Sequence, residues 1–474
     1  MNTGSGFVLI FINKYHIHVQ AFNAIVVKSS SLAFKGVYYS FIMYWSNTSA
    51  MRARISLFLA LFFIVAVSPL QAEESLTWQQ CVSEARQAHP DLSSALALLQ
   101  QAEADKRITE GSLLPQLNLV ASSQQNGTTE KGIAVSSVAS YSLSAEQLLY
   151  DGHKTSNQVA SNEEAIKAAK YNYNAVSANV RFILRSAFTQ LLLAQDLVGL
   201  TVEIAARRQK NFRLINLYYQ GGKEHIGSLH QAQADLAQAE FEVSQAERGL
   251  VLTQAKLASA LGRDIHKPLR VQGSYRASDL SMVKPDLDLL AKNNPLFHQL
   301  DAKSKAARYA LDVAKSAFSP QFYLSSSVER SSPDHWPFNA VDWRAGFTLS
   351  VPIYEGGSGR ARVSKAMAVL SQQNAEEKSG YHQLLDALEQ NWKNFQDAQR
   401  MVVVQKKQLD AATDRSFIAN AQYSNGLVTF NEWVIIENNL VGAKKNFLNA
   451  EANRLIAEAQ WIQATGGGLD GQQE

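Results

Sequence analysis

Residues 343–357 read WRAGFTLSVPIYEGG, and this stretch contains the two patterns that decide the fold. Up to Val351, apolar residues alternate with polar or small ones, which is typical of a strand with one apolar face. After Pro352 the chain passes through a pair of glycines, and no further proline occurs. The stretch therefore predicts a strand that ends at a turn and is followed by a long helix.

Three further stretches alternate in the same way, at residues 117–122, 139–146 and 322–328. Their polar positions are rich in serine, and each run approaches the roughly 9–11 residues with which a tilted strand crosses a bilayer. The sequence therefore predicts four strands per chain, joined in pairs by loops at residues 127–137 and 330–340.

One face of these strands is predicted to contact lipid, with Phe347 and Leu349 on it and the aromatic residues Tyr141, Trp336 and Trp343 near its borders. A small soluble sheet would show the same alternation, but a leader peptide, described below, favours an outer-membrane barrel. Four strands cannot close a barrel of eight or more. Because an open sheet edge cannot face lipid, the chain is expected to oligomerise.

Four short landmarks of the first half recur in the second half at a nearly constant offset, which indicates that one architectural unit is duplicated. The pairs are His89-Pro90 with Asn294-Pro295 and Leu114-Pro115-Gln116 with Ser319-Pro320-Gln321, 205 residues apart, and Tyr150-Asp151-Gly152 with Tyr354-Glu355-Gly356 and Tyr219-Gln220-Gly221-Gly222 with Tyr423-Ser424-Asn425-Gly426, 204 residues apart.

Two very long helices are predicted between these landmarks. Residues 153–219 and 358–423 contain no proline, and each would form a helix of about 100 Å at 1.5 Å per residue. Apolar residues in the first of them form two adjacent seams with spacings of three and four, so the helix has neighbours on both sides. A ring of helices and an ordinary long helical bundle both fit this pattern.

Glycines at the ends of these helices and acidic residues at their starts have structural explanations. Gly222 and Gly426 are expected to end the helices in the left-handed conformation that glycine adopts at low cost. The hairpin tips are then predicted at residues 221–228 and 425–432. Asp151 and Glu355 lie at the helix starts, where a negative charge is favourable; a gating role is the alternative interpretation.

Residues 51–72 have the features of a signal peptide, with a basic start, 13 apolar residues and a small residue, Ala72, at the cleavage point. Translation is expected to start at Met51, with an N-terminal extension as the alternative. The predicted organisation is an upstream extension at 1–50, a signal peptide at 51–72, a first repeat at 73–262, a connector at 263–285, a second repeat at 286–465 and a flexible tail at 466–474.

The charge balance and the motifs exclude several classes of protein. Residues 1–72 contain five basic and no acidic residues, which leaves 40 basic and 42 acidic residues in the rest of the chain, so the sequence predicts no nucleic-acid partner. The single cysteine, Cys81, cannot form an intrachain disulfide. The sequence contains neither the spacing of a metal site nor a phosphate-binding loop or a nucleophile elbow. We therefore expect no enzyme activity, no cofactor and no metal.

The order, spacing and duplication of these landmarks resemble those of the TolC family of outer-membrane efflux and export proteins, from about residue 76 to residue 466. The resemblance implies a mostly α-helical homotrimer in the outer membrane. Three chains would give a 12-stranded β-barrel, continued by a long α-helical coiled-coil tunnel through the periplasm. Lipidated members carry a cysteine at the mature N-terminus, from which this chain departs.

The same resemblance implies the function and the partners. The chain is expected to conduct substrates outward in a tripartite efflux or type I secretion system, with a periplasmic adaptor (membrane fusion) protein. The inner-membrane pump would be either proton-driven or of the ABC type. Gly222, Gly426 and Thr429 would lie at the hairpin tips that meet the adaptor. The alternative is a periplasmic or secreted structural coiled-coil protein without a pore.

Glu432 and Ser228 are the candidates for the periplasmic mouth. Family members commonly carry acidic residues just past the glycine of the second repeat, where Glu432 falls, whereas Ile435 occupies the place of a second acid. Ser228 has the equivalent position in the first repeat. Thr429-x-x-Glu432 is also a capping box, in which the carboxylate closes the start of a helix and needs no role in a pore. Both interpretations fit the sequence.

Overall fold

The computed structural model describes residues 74–128, 134–263, 268–275, 283–332 and 341–470. The predicted upstream extension, the signal peptide and its cleavage point lie outside the described residues. So do Trp336 and parts of the predicted loops and connector.

The described residues form eight helices and six strands. In chain order they are β1 Glu74–Thr77, α1 Trp78–Ala88, α2 Pro90–Gly111, β2 Gln116–Thr128, β3 Ala134–Tyr150, α3 Lys154–Gln220, α4 Ile226–Ala260, β4 Leu269–Gln272, α5 Leu287–Lys292, α6 Pro295–Ser316, β5 Gln321–Ser332, β6 Asp342–Ser350, α7 Ser358–Ser424 and α8 Phe430–Ala464.

Corresponding helices of the two halves have equal lengths. α3 and α7 have 67 residues each, α4 and α8 have 35 each, and α2 and α6 have 22 each. The predicted long helices therefore end within one residue of the observed bounds, because glycine and the absence of proline mark both ends in the sequence.

Backbone turns that favour glycine precede both long helices. Gly152 and His153 have φ values of 68° and 66° before α3, and Gly356 and Gly357 have values of 61° and 85° before α7. A Cβ on Gly152 would lie 2.0 Å from the Cβ of Ser319, so this position has no room for a side chain. The sharp change from strand to helix thus depends on glycine.

The strands β2, β3, β5 and β6 form one antiparallel sheet in the order β2-β3-β5-β6. The pairing of β3 with β5 joins the two halves of the chain. Both β2 and β6 are edge strands within the described part of the chain. The strands are longer than predicted, since β2 and β3 continue pairing as far as Thr128 and Ala134, inside the predicted loop. The added residues, 123–128 and 134–138, do not alternate between apolar and polar side chains, so the sequence pattern did not reveal them as strand.

A second, parallel sheet lies where the sequence predicted only a connector. β4 pairs with β1, the first described strand, from Leu269 opposite Glu74 to Gln272 opposite Thr77. Leu269 and Val271 are buried beside Leu76 in a cluster that also contains Phe188 and Leu191 of α3. Four residues are too few for alternation to be recognised in sequence, which is why this strand was not predicted.

The C-terminal segment after α8 is packed rather than flexible over its described part. Leu469 is only 4% exposed, its amide donates to the hydroxyl of Ser177 at 2.9 Å, and Asp470 forms an ion pair with Arg86. The prediction of a flexible tail at 466–474 is therefore wrong for residues 466–470. The three consecutive glycines were interpreted as a sign of a flexible backbone. In the structure, their lack of side chains allows the chain to pass close to α3.

Helix α3 contains a window of 18 residues that is long and apolar enough to cross a membrane. Of that window, 39% is buried inside the fold, as expected for a helix that packs against neighbours on several sides. This result rests on the length and composition of the helix alone, and the core helices of soluble proteins can have the same length and composition.

Candidate functional site: the helical tips and the outer face of the sheet

Both long helices end in the same backbone motif. In the first hairpin the amide of Lys223 donates to the carbonyl of Tyr218 at 2.8 Å; in the second, Leu427 donates to Gln422 at 2.9 Å. The glycine in each turn has a positive φ, 69° at Gly222 and 72° at Gly426. This is the Schellman arrangement, and the left-handed conformation predicted for both glycines is confirmed.

The helix that follows the second turn starts with the capping box predicted from Thr429 and Glu432. The Glu432 amide donates to the Thr429 hydroxyl at 3.3 Å, and the Thr429 amide donates to the Glu432 carboxylate at 3.0 Å. The carboxylate therefore closes the start of α8. A capping role does not exclude a role in the mouth, since Thr429 and Glu432 lie at the exposed end of the hairpin.

The first turn uses a different cap, which the sequence did not predict. His225 takes the place of Thr429, and its Nδ1 accepts from the amide of Ser228 at 3.3 Å. Ser228 is only 1% exposed, and its hydroxyl also lies 3.3 Å from the other ring nitrogen of His225. This burial argues against the constriction role expected of Ser228, because its hydroxyl does not face solvent.

A cluster of aromatic and apolar residues joins the two hairpins just behind their tips. The ring of Tyr423 stacks on that of Trp433 with 4.7 Å between centroids and 6° between planes. Tyr218 of the first hairpin lies 6.0 Å from Tyr423, and Ile215 is fully buried in the same cluster. The tips of the two hairpins are thus held together by packing within one chain.

A hydrogen bond links the two turns directly. The hydroxyl of Tyr423 donates to the carboxylate of Glu224 at 2.7 Å, although the residues are 199 positions apart. Burial, followed by the nearby Glu224 carboxylate, raises the pKa of Tyr423 well above its ordinary value. The phenol therefore keeps its proton and remains a donor throughout the physiological range.

A partly buried ion pair crosses between the hairpins further from the tips. Arg207 of α3 makes a bidentate contact with Glu437 of α8, at 2.5 and 2.8 Å. The hydroxyl of Ser416 on α7 donates to the same carboxylate at 2.5 Å, and Glu437 is only 1% exposed. Three of the long helices are therefore joined at one point. Sequence reasoning missed this pair because its members lie 230 residues apart.

The acids at the helix starts are engaged in local contacts. The carboxylate of Asp151 accepts from the amide and the hydroxyl of Thr155, at 2.8 and 2.6 Å. Glu355 pairs with Arg362 and lies 3.4 Å from the hydroxyl of Ser358. These contacts agree with the interpretation as favourable charge at a helix start.

The four-stranded sheet has one apolar and one polar face. Phe347 and Leu349 are 67% and 63% exposed, and the ring of Phe347 stacks on that of Phe322 with centroids 5.5 Å apart. Trp343 lies on the same face, four residues before Phe347 on β6. The opposite face borders a polar hollow lined by Gln116, Asn118, Ser144, Glu146, Ser325 and Arg344, among others.

The described residues contain no group of three or more histidine, cysteine, aspartate or glutamate residues that could hold a metal ion. Cys81 is buried in the cluster around Leu184 and Leu257. In the described parts of the chain, the candidate site therefore consists of packed tips and a two-faced sheet.

Comparisons with known proteins agree with this architecture. The cation efflux system protein CusC of Escherichia coli K12 is 24% identical over 412 residues, covering 82% of this chain and 86% of that protein. A crystal structure of CusC matches with a TM-score of 0.75 at 20% identity, over 82% of this chain and 92% of that one. The outer membrane channel CmeC of Campylobacter jejuni matches with a TM-score of 0.74 at 18% identity, over 82% and 85%.

The sequence pattern of outer membrane efflux proteins matches residues 81–263 and 287–467, and the gap between the two matched segments falls in the predicted connector. Together the two segments span well over half of the chain. The chain therefore belongs to the outer membrane efflux protein family.

Proposed function

We propose that three copies of this outer-membrane efflux channel assemble into one pore with a closed barrel of twelve strands. The observation that carries the proposal is the open sheet of β2, β3, β5 and β6, whose apolar face is exposed. Among the described residues its edge strands, β2 and β6, each pair on one side only, and open edges of this kind are too costly to leave in lipid. Pairing β6 of one copy with β2 of the next would satisfy both edges.

The four long helices of each chain would form the wall of a periplasmic tunnel. At 67 residues, α3 and α7 are each about 100 Å long, which suits a conduit between two membranes. The equal lengths of corresponding helices support the proposed duplication, with residues 73–262 and 286–465 as its two halves. In a trimer, six helical hairpins would then surround one axis.

The periplasmic partners are proposed to meet the channel at the tips. An adaptor protein would contact the turns at Gly222, Gly426 and Thr429, and an inner-membrane pump, either proton-driven or ATP-driven, would supply the substrate. The names of two relatives state different substrates: CusC is a cation efflux system protein, and OpmQ of Pseudomonas aeruginosa is a pyoverdine export protein. A type I secretion system remains the second candidate setting for the same channel.

Glu432 is the acid that we place at the mouth, with one carboxylate from each of three chains. Close negative charges reinforce one another in a confined site and attract cations. The capping box is compatible with this role, because each carboxylate has a second oxygen.

The proposal is tested by purifying the protein from outer membranes. We expect trimers that dissociate on heating before electrophoresis and that conduct ions in planar bilayers. Recovery of the protein as a soluble periplasmic or secreted species without conductance would instead support a structural coiled-coil protein.

A further inference from the structure

The apolar face of the sheet carries one charged side chain among its described residues, Arg330. Cross-strand register places Arg330 opposite Tyr141, and both lie on the face that carries Val328 and Leu143 in the next row. The other charged residues in the described part of this four-stranded sheet alternate onto the opposite face; they are Glu146, Glu329, Asp342 and Arg344.

Arg330 lies just beyond the end of an apolar band. On β5 the outward residues from Phe322 to Val328 contain no charge, and this stretch spans about 20 Å at roughly 3.3 Å per residue. The apolar band of a membrane barrel is about 25 Å tall. A strand tilted by about 35–45° covers less height than its length, so the uncharged run fits within this band. Arg330, two residues further on, is the first charged outward residue at the end of the run, and we therefore place its guanidinium near the border of the band.

The surroundings of Arg330 suit the border of a bilayer. Its Nη1 lies 3.5 Å from the hydroxyl of Tyr141, and Trp343 is 74% exposed in the adjacent row. Tyrosine and tryptophan are the residues that border the apolar band of membrane proteins. A guanidinium has five N–H donors in a planar fork, which is more than one phenol can accept from.

We propose that Arg330, positioned by Tyr141, binds the phosphate of a lipid headgroup in the outer leaflet. The inference rests on the proposed barrel, because it needs the sheet to face lipid. The guanidinium fork matches a phosphate in a bidentate manner, and a membrane surface rich in anionic headgroups attracts basic side chains. A lipid is favoured over free phosphate because the apolar band directly below Arg330 would contact its acyl chains.

The test compares Arg330→Gln with Arg344→Gln, a matched loss of one arginine on the opposite face of the sheet. Trimers purified from outer membranes are placed in phosphatidylcholine vesicles with or without lipopolysaccharide, and the lipopolysaccharide bound per trimer is measured. We expect about five-fold weaker binding for Arg330→Gln and none of this loss for Arg344→Gln. Arg330→Lys keeps the charge and should retain part of the binding.

Equal binding by Arg330→Gln and the wild-type protein would overturn the inference, as would an equal loss in Arg344→Gln. Inorganic phosphate is added as a competitor. If it abolishes the difference in binding between the wild-type protein and Arg330→Gln, the site binds free anions instead of lipid, which also contradicts the inference. The conductance of the same trimers is measured in parallel. Trimers that conduct ions but show no effect of Arg330→Gln on lipopolysaccharide binding would refute the lipid site alone and leave the proposed channel standing. Wild-type protein that neither inserts nor conducts would refute both proposals together.

Discussion

At the scale of single residues, Tyr423 connects the two hairpins at their tips. It stacks on Trp433, packs near Tyr218 and donates to Glu224, so it contacts both hairpins at once. The sequence marked Tyr423 only as a landmark of the repeat. Its partners could not be predicted, because Glu224 lies 199 residues away and becomes a neighbour only when the hairpins pack side by side.

Removing the Tyr423 hydroxyl tests this contact without disturbing the stacking. Tyr423→Phe loses a hydrogen bond to a charged group, worth about 1.5–3 kcal/mol, and should loosen the two turns. We expect a higher resting conductance in planar bilayers. The matched control is Tyr219→Phe at the equivalent position of the first hairpin, whose ring is partly exposed and outside the cluster. Equal conductance of Tyr423→Phe and wild type would show that the bond does not restrain the tips.

Glu432 can be tested by separating its charge from its capping role. Glu432→Gln keeps a side chain that can accept from the cap, so trimer stability should not change, whereas Glu432→Ala should lose about 0.5–2 kcal/mol. If three carboxylates line the mouth, Glu432→Gln should lower cation selectivity and weaken block by multivalent cations. Reversal potentials in salt gradients measure this. Unchanged selectivity would leave capping as its only role.

At the scale of elements, the partly buried pair of Arg207 and Glu437 joins helices from both hairpins. Removing Arg207 leaves the buried Glu437 carboxylate without its counterion. We expect a cost of about 3 kcal/mol, at the low end for buried pairs, because the Arg207 side chain is itself 34% exposed. Arg207→Met should therefore lower thermal stability strongly, and adding Glu437→Met should restore much of it. The control, Lys393→Met, removes one member of an exposed pair with Asp397 and should cost less than about 1 kcal/mol. Similar melting temperatures for all three variants would contradict a structural role.

The outer face of the sheet gives a second test at this scale. Leu349→Arg places a charge on the face proposed to contact lipid, which costs about 2–4 kcal/mol at the bilayer midplane. We expect loss of outer-membrane trimers. Ser350→Arg, one residue along and on the polar face, should leave trimers assembled. Membrane fractionation followed by electrophoresis without heating distinguishes the two, and equal tolerance of both changes would refute the assignment of faces.

At the scale of the whole molecule, the sequence predicted the long elements better than the short ones. Helices α3 and α7 were predicted within one residue, because proline and glycine punctuate them clearly. The strands were predicted in the right places but too short, since the serine-rich ends of β2 and β3 lack apolar alternation. The four-residue strand β4 and the packing of Leu469 depend on tertiary contacts, which no local pattern records.

In the proposed assembly, the open sheet of one chain is completed by two further copies. Electron cryomicroscopy of the protein purified from outer membranes and placed in lipid nanodiscs tests this most directly. We predict three copies around one axis, twelve strands in a closed barrel, and β6 of each copy paired with β2 of the next. A particle with an open or separately closed four-stranded sheet, or with helices that enclose no tunnel, would contradict the account.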